Sequence, residues 1–283
     1  MTGLRLKAWG KINLSLDVLH LRPDGYHQLA TVMQSIGLAD SLTFQLNDSG
    51  RIRLDCNYPQ LANDDNLVVR GAKLLQERFC PEQGVDIYLE KKLPVAAGLG
   101  GGSSDAAATM KALNYLWGLD LSTSALISLG SKLGADVPFC LVGGTALAQG
   151  IGDELSLLKP APKIWLVLVK PATGLSAGEV YKHWDALAWD SNNYTPGVIK
   201  ALERGEIHFL AEAVGNDLER AVVSLQPEVE EIRQEMLERG ALKAMVSGSG
   251  PTVVGFVASE EQGIRLAKGL WNKYPEIHVT YTV

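Results

Sequence analysis

Residues 94–107 read PVAAGLGGGSSDAA, with four glycines in the five positions from 98 to 102 and two serines directly after them. Residues without a Cβ allow successive backbone N–H groups to turn toward one point, and they allow a ligand to approach closely. The pattern predicts a helix from about residue 104, whose unpaired N–H groups and dipole would favour an anion at its start. The stretch therefore predicts a cradle for a polyphosphate.

The same glycines also suit a flexible linker or a helix-capping loop, because turns use glycine routinely. The small residues of the following helix and the two serine hydroxyls favour phosphate over these alternatives. The stretch is not a Walker A loop, since no Gly-Lys-Ser/Thr follows at the required spacing. It lacks the third glycine of a dinucleotide-binding fingerprint. The chain also has neither an H-R-D nor a D-F-G sequence, which excludes the protein-kinase pattern.

Composition limits the class of protein further. The chain has 283 residues, more than one domain usually contains, and 46% of them are hydrophobic, which is enough for a large core. A formal net charge of -6 argues against nucleic acid as the main partner. The three cysteines lie far apart without a C-x-x-C pair, so we expect reduced, mostly buried thiols and no metal site or disulfide framework.

The apolar segments of the chain are short. The N-terminal stretch alternates apolar and polar residues and has no long apolar region, so we expect no secretory signal. The most apolar run, residues 164–169, is far too short to cross a bilayer. Together these features predict a soluble, cytoplasmic protein without a membrane partner.

Periodicity predicts strands and helices in both halves of the chain. The expected strands are 4–19, 41–46, 51–56, 85–89, 145–149, 164–169, 244–246, 252–257 and 277–283. The expected helices are 66–79, 104–117, 122–133, 176–184, 195–204, 206–214, 227–238 and 260–274. The pattern breaks at 150–153 and again at 159–162, which predicts two α+β domains, residues 1–152 and 153–283.

Two charged residues suit phosphoryl transfer to an alcohol, which needs an oriented hydroxyl, a proton acceptor and positive charge near the γ-phosphate. Lys11 interrupts a predicted strand, where an inward charge would be costly unless it is paired. Asp136 lies among apolar neighbours in GADVPF, residues 134–139. The ordinary alternatives are a solvent-facing lysine on an amphipathic strand and an aspartate that serves a turn or a cap.

The pattern P-x-x-x-G-L-G-G-G-S-S-x-A-A resembles the phosphate loop of the GHMP kinases, which are named after galactokinase, homoserine, mevalonate and phosphomevalonate kinases. GKINL at 10–14 and SGSGPT at 247–252 fit the same family, so the resemblance covers essentially the whole chain. It implies an α+β, two-domain GHMP kinase fold, with an N-terminal ribosomal-protein-S5-like α/β sandwich and a C-terminal ferredoxin-like α+β domain. The chain departs from the commoner opening PAKINL, because Trp9-Gly10 precedes Lys11.

The resemblance also implies roles for individual residues. Asp136 would take the proton of the acceptor hydroxyl, and Lys11 beside it would keep that carboxylate ionised. ATP and Mg²⁺ would be the cofactors, with Ser104 a candidate ligand of a Mg²⁺ ion held mainly by phosphates and water. Asn66 could equally cap a helix, and Lys91 with Lys92 could equally be a solvated pair. The residues implied for the nucleotide are Asn66, Lys91, Pro94, Gly98, Leu99, Gly100, Gly101, Gly102, Ser103 and Ser104.

A further segment narrows the acceptor. Within the family, RPDGYH at 22–27 resembles the members that phosphorylate a cytidine-diphosphate-linked methylerythritol in the methylerythritol phosphate route to isoprenoids. Tyr26 could stack on the cytosine, His27 could hydrogen-bond its edge, and Tyr181 could cover its other face. The alternative is an ordinary turn followed by a half-buried strand. The residues implied for the substrate are Asn13, Tyr26, His27, Asp136, Tyr181, Gly248 and Ser249.

Two rival functions stay open at this point. One is another GHMP kinase, of the homoserine or mevalonate type, and the other is a nucleotide-binding module without catalysis. The presence of both Lys11 and Asp136 argues against the second rival. We expect small molecules as partners, no nucleic acid, and a monomer or weak homodimer.

Overall fold

The computed structural model describes residues 3–187 and 189–283. The chain divides into two compact units, neither of which is continuous in sequence. Unit 1 consists of the segment that ends at Gly10 together with Leu38–Leu93 and Gly100–Gly143. Unit 2 consists of Lys11–Gly37, Pro94–Leu99 and Gly144–Val283. Two long strands, β1 (Gly3–Leu21) and β2 (His27–Asn47), contribute to both units, and the domain division at residue 152 stays a prediction.

In the sheet of unit 1, the central strand of the first three is the last of them in the sequence. β3 (Ile52–Cys56) leads into helix α1 (Leu67–Phe79), and strand β4 (Gly84–Glu90) follows. β4 runs parallel to β3 and antiparallel to the second half of β2. The glycine turn at 47–50 therefore does not join neighbouring strands, because β4 lies between β2 and β3. A parallel pair needs a crossover connection, and α1 provides it.

Helices cover one face of this sheet. After α1 the chain forms α2 (Gly101–Leu116), α3 (Thr123–Gly130) and α4 (Val137–Val142). Small residues allow α1 and α2 to pack closely, since a Cβ on Gly71 would touch Met110 and the carbonyl of Ala106. The core of unit 1 joins strand residues such as Phe44 and Ile87 to this helical layer.

The described strands of unit 2 belong to two sheets. In the first, the seven-stranded sheet that also contains β3 and β4, β2 pairs with β5 (Thr145–Gln149), which pairs with β6 (Glu154–Leu157). The second has four antiparallel strands in the order β11-β7-β10-β9. Its strands are β7 (Trp165–Lys170), β9 (Lys243–Val246), β10 (Val253–Val257) and β11 (Glu276–Tyr281), and the short strand β8 (Gly215–Asn216) runs parallel to β1.

Six helices complete the described part of unit 2. They are α5 (Ala177–Ala186), α6 (Thr195–Arg204), α7 (Ile207–Ala213), α8 (Glu219–Leu225), α9 (Glu228–Glu238) and α10 (Glu260–Leu270). The core of this unit contains Leu218, Ile232 and Leu266 from the helices and Val167 and Val253 from the strands. No helix in the described part of the chain is both long enough and apolar enough to span a membrane.

Most predicted elements are present, and the misses have physical causes. The first half of β2 was missed because six consecutive residues, 31–36, are buried, so the strand lacks the alternation that marks a half-buried one. Short elements gave mixed results, because few residues are available to show a period: β3, β5, β9 and α7 were predicted, and β6, α4 and α8 were missed. The three cysteines form no disulfide within the described chain, and only Cys56 is fully buried, which corrects the expectation that they are mostly buried.

Candidate active site

Strand β1 carries the first predicted site residues, within unit 2. Lys11 is only 4% exposed, and its ammonium donates a hydrogen bond to Oδ1 of Asn13 at 2.9 Å. Nδ2 of Asn13 donates to the hydroxyl of Thr31 at 2.8 Å. Residues two apart share one face of a strand, so both side chains point the same way. The alternative of a solvent-facing Lys11 is therefore wrong.

The glycine stretch of residues 94–107 is ordered. Gly98 and Gly100 have φ angles of +74° and +67°, in the left-handed region that glycine adopts without strain. The backbone N–H of Lys11 donates to the carbonyl of Leu99 at 2.9 Å, which ties the loop to β1. Helix α2 begins at Gly101, three residues before the predicted start. The first N–H groups of a helix have no partner within that helix. In α2 these groups therefore come from residues of the glycine-rich stretch.

The glycine turn at 247–250 meets both of these segments in unit 2. The Ser247 hydroxyl donates to the carbonyl of Gly98 at 3.1 Å. Gly248 has a φ angle of +57°, and a Cβ on it would lie 3.1 Å from Oδ1 of Asn13 and 3.6 Å from Nζ of Lys11. The structure thus brings together the three segments that carry the family resemblance.

Two of the three residues predicted to bind the base, His27 and Tyr181, meet in unit 2. The rings of His27 and Tyr181 stack, with centroids 5.0 Å apart and planes 20° from parallel. Nε2 of His27 lies 2.7 Å from Oδ1 of Asp185, one turn after Tyr181 on α5. Tyr26 is 60% exposed, at the end of the predicted turn. Asp185 was missed by sequence reasoning, although its spacing of four residues from Tyr181 places both on one helix face.

In unit 1, Asn66 has a structural task. It occupies the N-cap of α1, where Oδ1 accepts the N–H of Val68 at 2.9 Å. Its Nδ2 donates to the carbonyl of Leu61 at 2.8 Å. The capping alternative is therefore confirmed, and a contact of Asn66 with the nucleotide stays a prediction.

Lys91 lies in a buried ionic cluster of unit 1. Its ammonium donates to Oδ2 of Asp105 at 2.7 Å and also to Oδ2 of Asp40, and all three residues are at most 7% exposed. A Cβ on Gly101 would lie 3.2 Å from Nζ of Lys91, so the cluster packs against the first turn of α2. The alternative of a solvated pair with Lys92 is wrong for Lys91, whereas Lys92 is exposed and pairs with Glu90.

The cluster contains one carboxylate more than it has ammonium groups. Burial raises the pKa of Asp105 to about 7, against the opposing effect of the Lys91 charge, and the charge of Asp40 raises it further. Oδ1 of Asp105 is buried without a hydrogen-bond partner among the described residues. Near neutrality the protonated and ionised forms of this carboxyl are therefore both populated.

Ser104 and Asp136 both stand at helix starts in unit 1. The Ser104 hydroxyl donates to the carbonyls of Gly100 and Gly101 at 3.0 and 3.1 Å, so its proton is used inside the first turn of α2. Asp136 is half-buried at the N-cap position of α4, but its side chain makes no capping hydrogen bond to that helix. Of the turn-or-cap alternative for Asp136, the turn position is confirmed and the capping bond is wrong.

Comparisons with known proteins agree with this geometry. Residues 66–144 match the family described as GHMP kinases N terminal domain, and residues 198–276 match GHMP kinases C terminal. The chain is 47% identical to the 4-diphosphocytidyl-2-C-methyl-D-erythritol kinase of Moorella thermoacetica over 100% of both chains. It is 44% identical to the enzyme of that name from Exiguobacterium sibiricum, over 97% of this chain and 96% of the other.

The chain belongs to the GHMP kinase family. A solved structure of a 4-(cytidine 5'-diphospho)-2C-methyl-D-erythritol kinase superimposes with a TM-score of 0.85 at 33% identity, covering 99% of each chain. The predicted family, the α+β GHMP kinase fold and the kinase activity are confirmed. ATP is accordingly the phosphoryl donor of this GHMP kinase.

Sequence reasoning missed the residues that support the site of this GHMP kinase. Thr31, Asp40, Asp105, Asp185 and Asn216 each hold a predicted site residue or its loop through a hydrogen bond. An acidic residue among apolar neighbours in IGLADSL, residues 36–42, is the sequence feature that could have marked Asp40, whereas VGNDLE at 214–219 gives no such signal for Asn216.

Proposed function

We propose that this kinase transfers the γ-phosphoryl group of ATP to the 2-hydroxyl of 4-diphosphocytidyl-2-C-methyl-D-erythritol, giving ADP and the 2-phosphate. The observation that carries the proposal is the stacking of His27, the last residue of the RPDGYH segment, on Tyr181. The two rings give unit 2 an aromatic surface for a planar base. The substrate named for the full-length relatives carries such a base, cytosine. The product belongs to the methylerythritol phosphate route to isoprenoids.

Main-chain groups hold the triphosphate in this proposal. The N–H groups of the glycine loop and of the first turn of α2 donate to phosphate oxygens in this proposal. The dipole of the 16-residue helix α2 adds to the attraction for the anion. Pro94 and Leu99 shape the loop, and Asn66 and Lys91 support the nucleotide site indirectly, through the cap of α1 and the ionic cluster against the first turn of α2. The donors come from Gly98, Gly100, Gly101, Gly102, Ser103 and Ser104.

Mg²⁺ enters this site with the ATP. The described residues contain no group of three or more His, Cys, Asp or Glu side chains that would hold a metal ion, which fits an ion held mainly by phosphates and water. The lone pairs of the Ser104 hydroxyl suit it as one ligand, since its proton is already donated to α2. When bound, Mg²⁺ neutralises charge on the phosphates.

Asp136 and Lys11 act on the acceptor hydroxyl. We assign Asp136 as the group that accepts its proton and Lys11 as the cation that keeps the carboxylate ionised. Asn13 orients the acceptor, because its amide is itself held between Lys11 and Thr31. Gly248 and Ser249 line the same place through their backbone.

The cytidine end of the substrate binds at the aromatic pair. Tyr26 and Tyr181 offer ring faces for stacking, and His27 offers hydrogen-bonding groups for the base edge. The protein acts in the cytoplasm on small molecules rather than on nucleic acid or a membrane, as a monomer or weak homodimer. Its functional domains are residues 1–152 and 153–283.

Product analysis with several alcohols tests the substrate. Purified protein with ATP and Mg²⁺ is offered the cytidylated methylerythritol, homoserine and mevalonate, and ADP release is measured with each. We expect turnover with the cytidylated compound alone. ADP release with homoserine or mevalonate, and none with the cytidylated compound, would assign the chain to a different GHMP activity.

Replacement of Asp136 tests the catalytic assignment and the rival of a non-catalytic nucleotide-binding module. We expect Asp136→Ala to lower kcat by about a thousandfold or more while the Kd for ATP changes little, because the proton acceptor is lost and the phosphate cradle is kept. Asp48→Ala, at an exposed turn of the same unit, serves as the matched control. Unchanged turnover would remove Asp136 from the mechanism.

A further inference from the structure

The glycine turn at 247–250 is held by one buried side chain. Asn216 is 5% exposed, and its Nδ2 donates to the carbonyls of Val246 at 2.9 Å and Gly248 at 2.7 Å. Its Oδ1 accepts the N–H of Leu218 at 3.0 Å. A side-chain amide has two N–H donors, so Asn216 uses both on this turn.

These two carbonyls need the donors that Asn216 provides. Val246 is the last residue of β9, and Gly248 follows in a left-handed conformation, so neither carbonyl continues a regular ladder. Buried carbonyl groups in folded proteins are almost always hydrogen-bonded. Asn216 therefore determines where the carbonyl of Gly248 points and, through it, the path of the turn.

The turn and strand β1 are tied together through the same residue. Asn216 belongs to β8, where it lies opposite Leu16 of β1. Lys11 and Asn13 lie on that strand, and Gly248 approaches them so closely that a Cβ would lie 3.1 Å from Oδ1 of Asn13. One amide thus sets the spacing between the turn and the two polar side chains of β1.

We propose that Asn216 is a positioning residue for phosphoryl transfer, which places Gly248 against Lys11 and Asn13 by binding the carbonyls of Val246 and Gly248. The proposal rests on the roles proposed above for Lys11 and Asn13. Asn216 does not touch the reacting atoms. Its effect is on the alignment of the acceptor hydroxyl, and misplacement by about 1 Å can cost roughly a hundredfold in rate.

The next residue is a matched control. Asp217 is 1% exposed and accepts hydrogen bonds from the N–H of Val18, the hydroxyl of Ser191 and the N–H of Asn192, at 2.8, 2.6 and 3.0 Å. It is as buried and as fully bonded as Asn216, but it holds Val18 near the end of β1 and residues 191–192 rather than the glycine turn. A purely structural residue should behave like Asp217.

The experiment compares three variants of the full chain by steady-state kinetics and thermal unfolding. Asn216→Asp replaces both donors by a carboxylate that faces two carbonyls, Asn216→Ser keeps one donor, and Asp217→Asn alters the control. We expect Asn216→Asp to lower kcat by about 10- to 100-fold, with the KM for ATP changed less than about threefold. Asn216→Ser should lie between Asn216→Asp and wild type. Asp217→Asn should lower Tm and leave kcat within about twofold of wild type.

An unchanged kcat in a folded Asn216→Asp protein would overturn the proposal. It would also be overturned if Asn216 variants and Asp217→Asn lost the same Tm and had the same kcat. If Asn216→Asp does not fold, Asn216→Ser decides, and a normal kcat in it overturns the proposal. Wild type without turnover of the cytidylated acceptor would instead contradict the proposed function. The comparison of variants is then made with the alcohol that wild type phosphorylates.

Discussion

The candidate site residues of the two units differ in what their side chains do. In unit 1, Asn66 caps α1, Ser104 bonds to carbonyls of α2, and Lys91 is held between two carboxylates. In unit 2, the candidate side chains contact one another, as Lys11 does with Asn13 and His27 with Tyr181. In the proposed function these three side chains of unit 1 support a main-chain cradle and only Asp136 acts on the acceptor, whereas unit 2 presents the side chains proposed to select that acceptor.

Lys91 gives the strongest test of this difference. We expect Lys91→Met to lower the free energy of unfolding by about 3–5 kcal/mol, because it leaves the buried Asp40 and Asp105 carboxylates without their cation. Urea denaturation measures the loss. The KM for ATP of the folded fraction should stay near that of wild type.

Lys92→Met is the control for that substitution, since Lys92 is exposed and should contribute at most about 1 kcal/mol through its ion pair with Glu90. A large rise in the KM for ATP in Lys91→Met, with wild-type stability, would show that the ammonium serves the nucleotide rather than the fold. The contrast between the units would then fail at this residue.

The pKa of Asp105 predicts a pH dependence of stability. This pKa is about 7 in the folded protein and 3.8 without the fold, so between these values the folded state holds a proton that the unfolded state has lost. The free energy of unfolding should therefore fall as pH rises from about 4 to about 7. Asp105→Asn, which cannot titrate, should flatten this part of the curve. Denaturant unfolding at several pH values measures it, and an equal slope in both proteins would contradict the assignment to Asp105.

Asn66 tests whether its cap is separate from nucleotide binding. Asn66→Ala should lower the free energy of unfolding by about 1 kcal/mol through loss of the cap on α1. Asn66→Asp keeps an oxygen acceptor for the N–H of Val68 and should recover most of that loss. Thermal unfolding and the KM for ATP are measured for both. A higher KM for ATP in both variants would mean that the amide also contacts the nucleotide.

Replacement of Asp185, in unit 2, has the smallest expected effect, and it concerns the KM for the acceptor. Its bond to His27 is partly solvent-exposed, so Asp185→Ala should raise the KM for the cytidylated acceptor by a factor of about 2–5. The KM for ATP and the Tm should not change. Lys182→Ala, at an exposed position on α5, is the control. An effect of equal size on the KM for ATP would place Asp185 outside the acceptor site and weaken the contrast between the units.

The sequence by itself determined the fold family and most elements of regular structure. Local periodicity and glycine placement predicted α1, α6 and the start of α2 in the glycine-rich stretch, because helices depend on contacts between residues close in the chain. The motifs at 10–14, 94–107 and 247–252 predicted the members of the site, although not their contacts.

Only the tertiary structure decided which polar residues support the site. Lys91 and Asp40 are 51 positions apart, and His27 and Asp185 are 158 apart, so no periodic pattern relates them. Burial decided the rest: an aspartate such as Asp105 has an ordinary pKa in water and a raised one inside unit 1, because desolvation disfavours its charge. Pairing over such distances depends on chain topology, which local sequence does not encode.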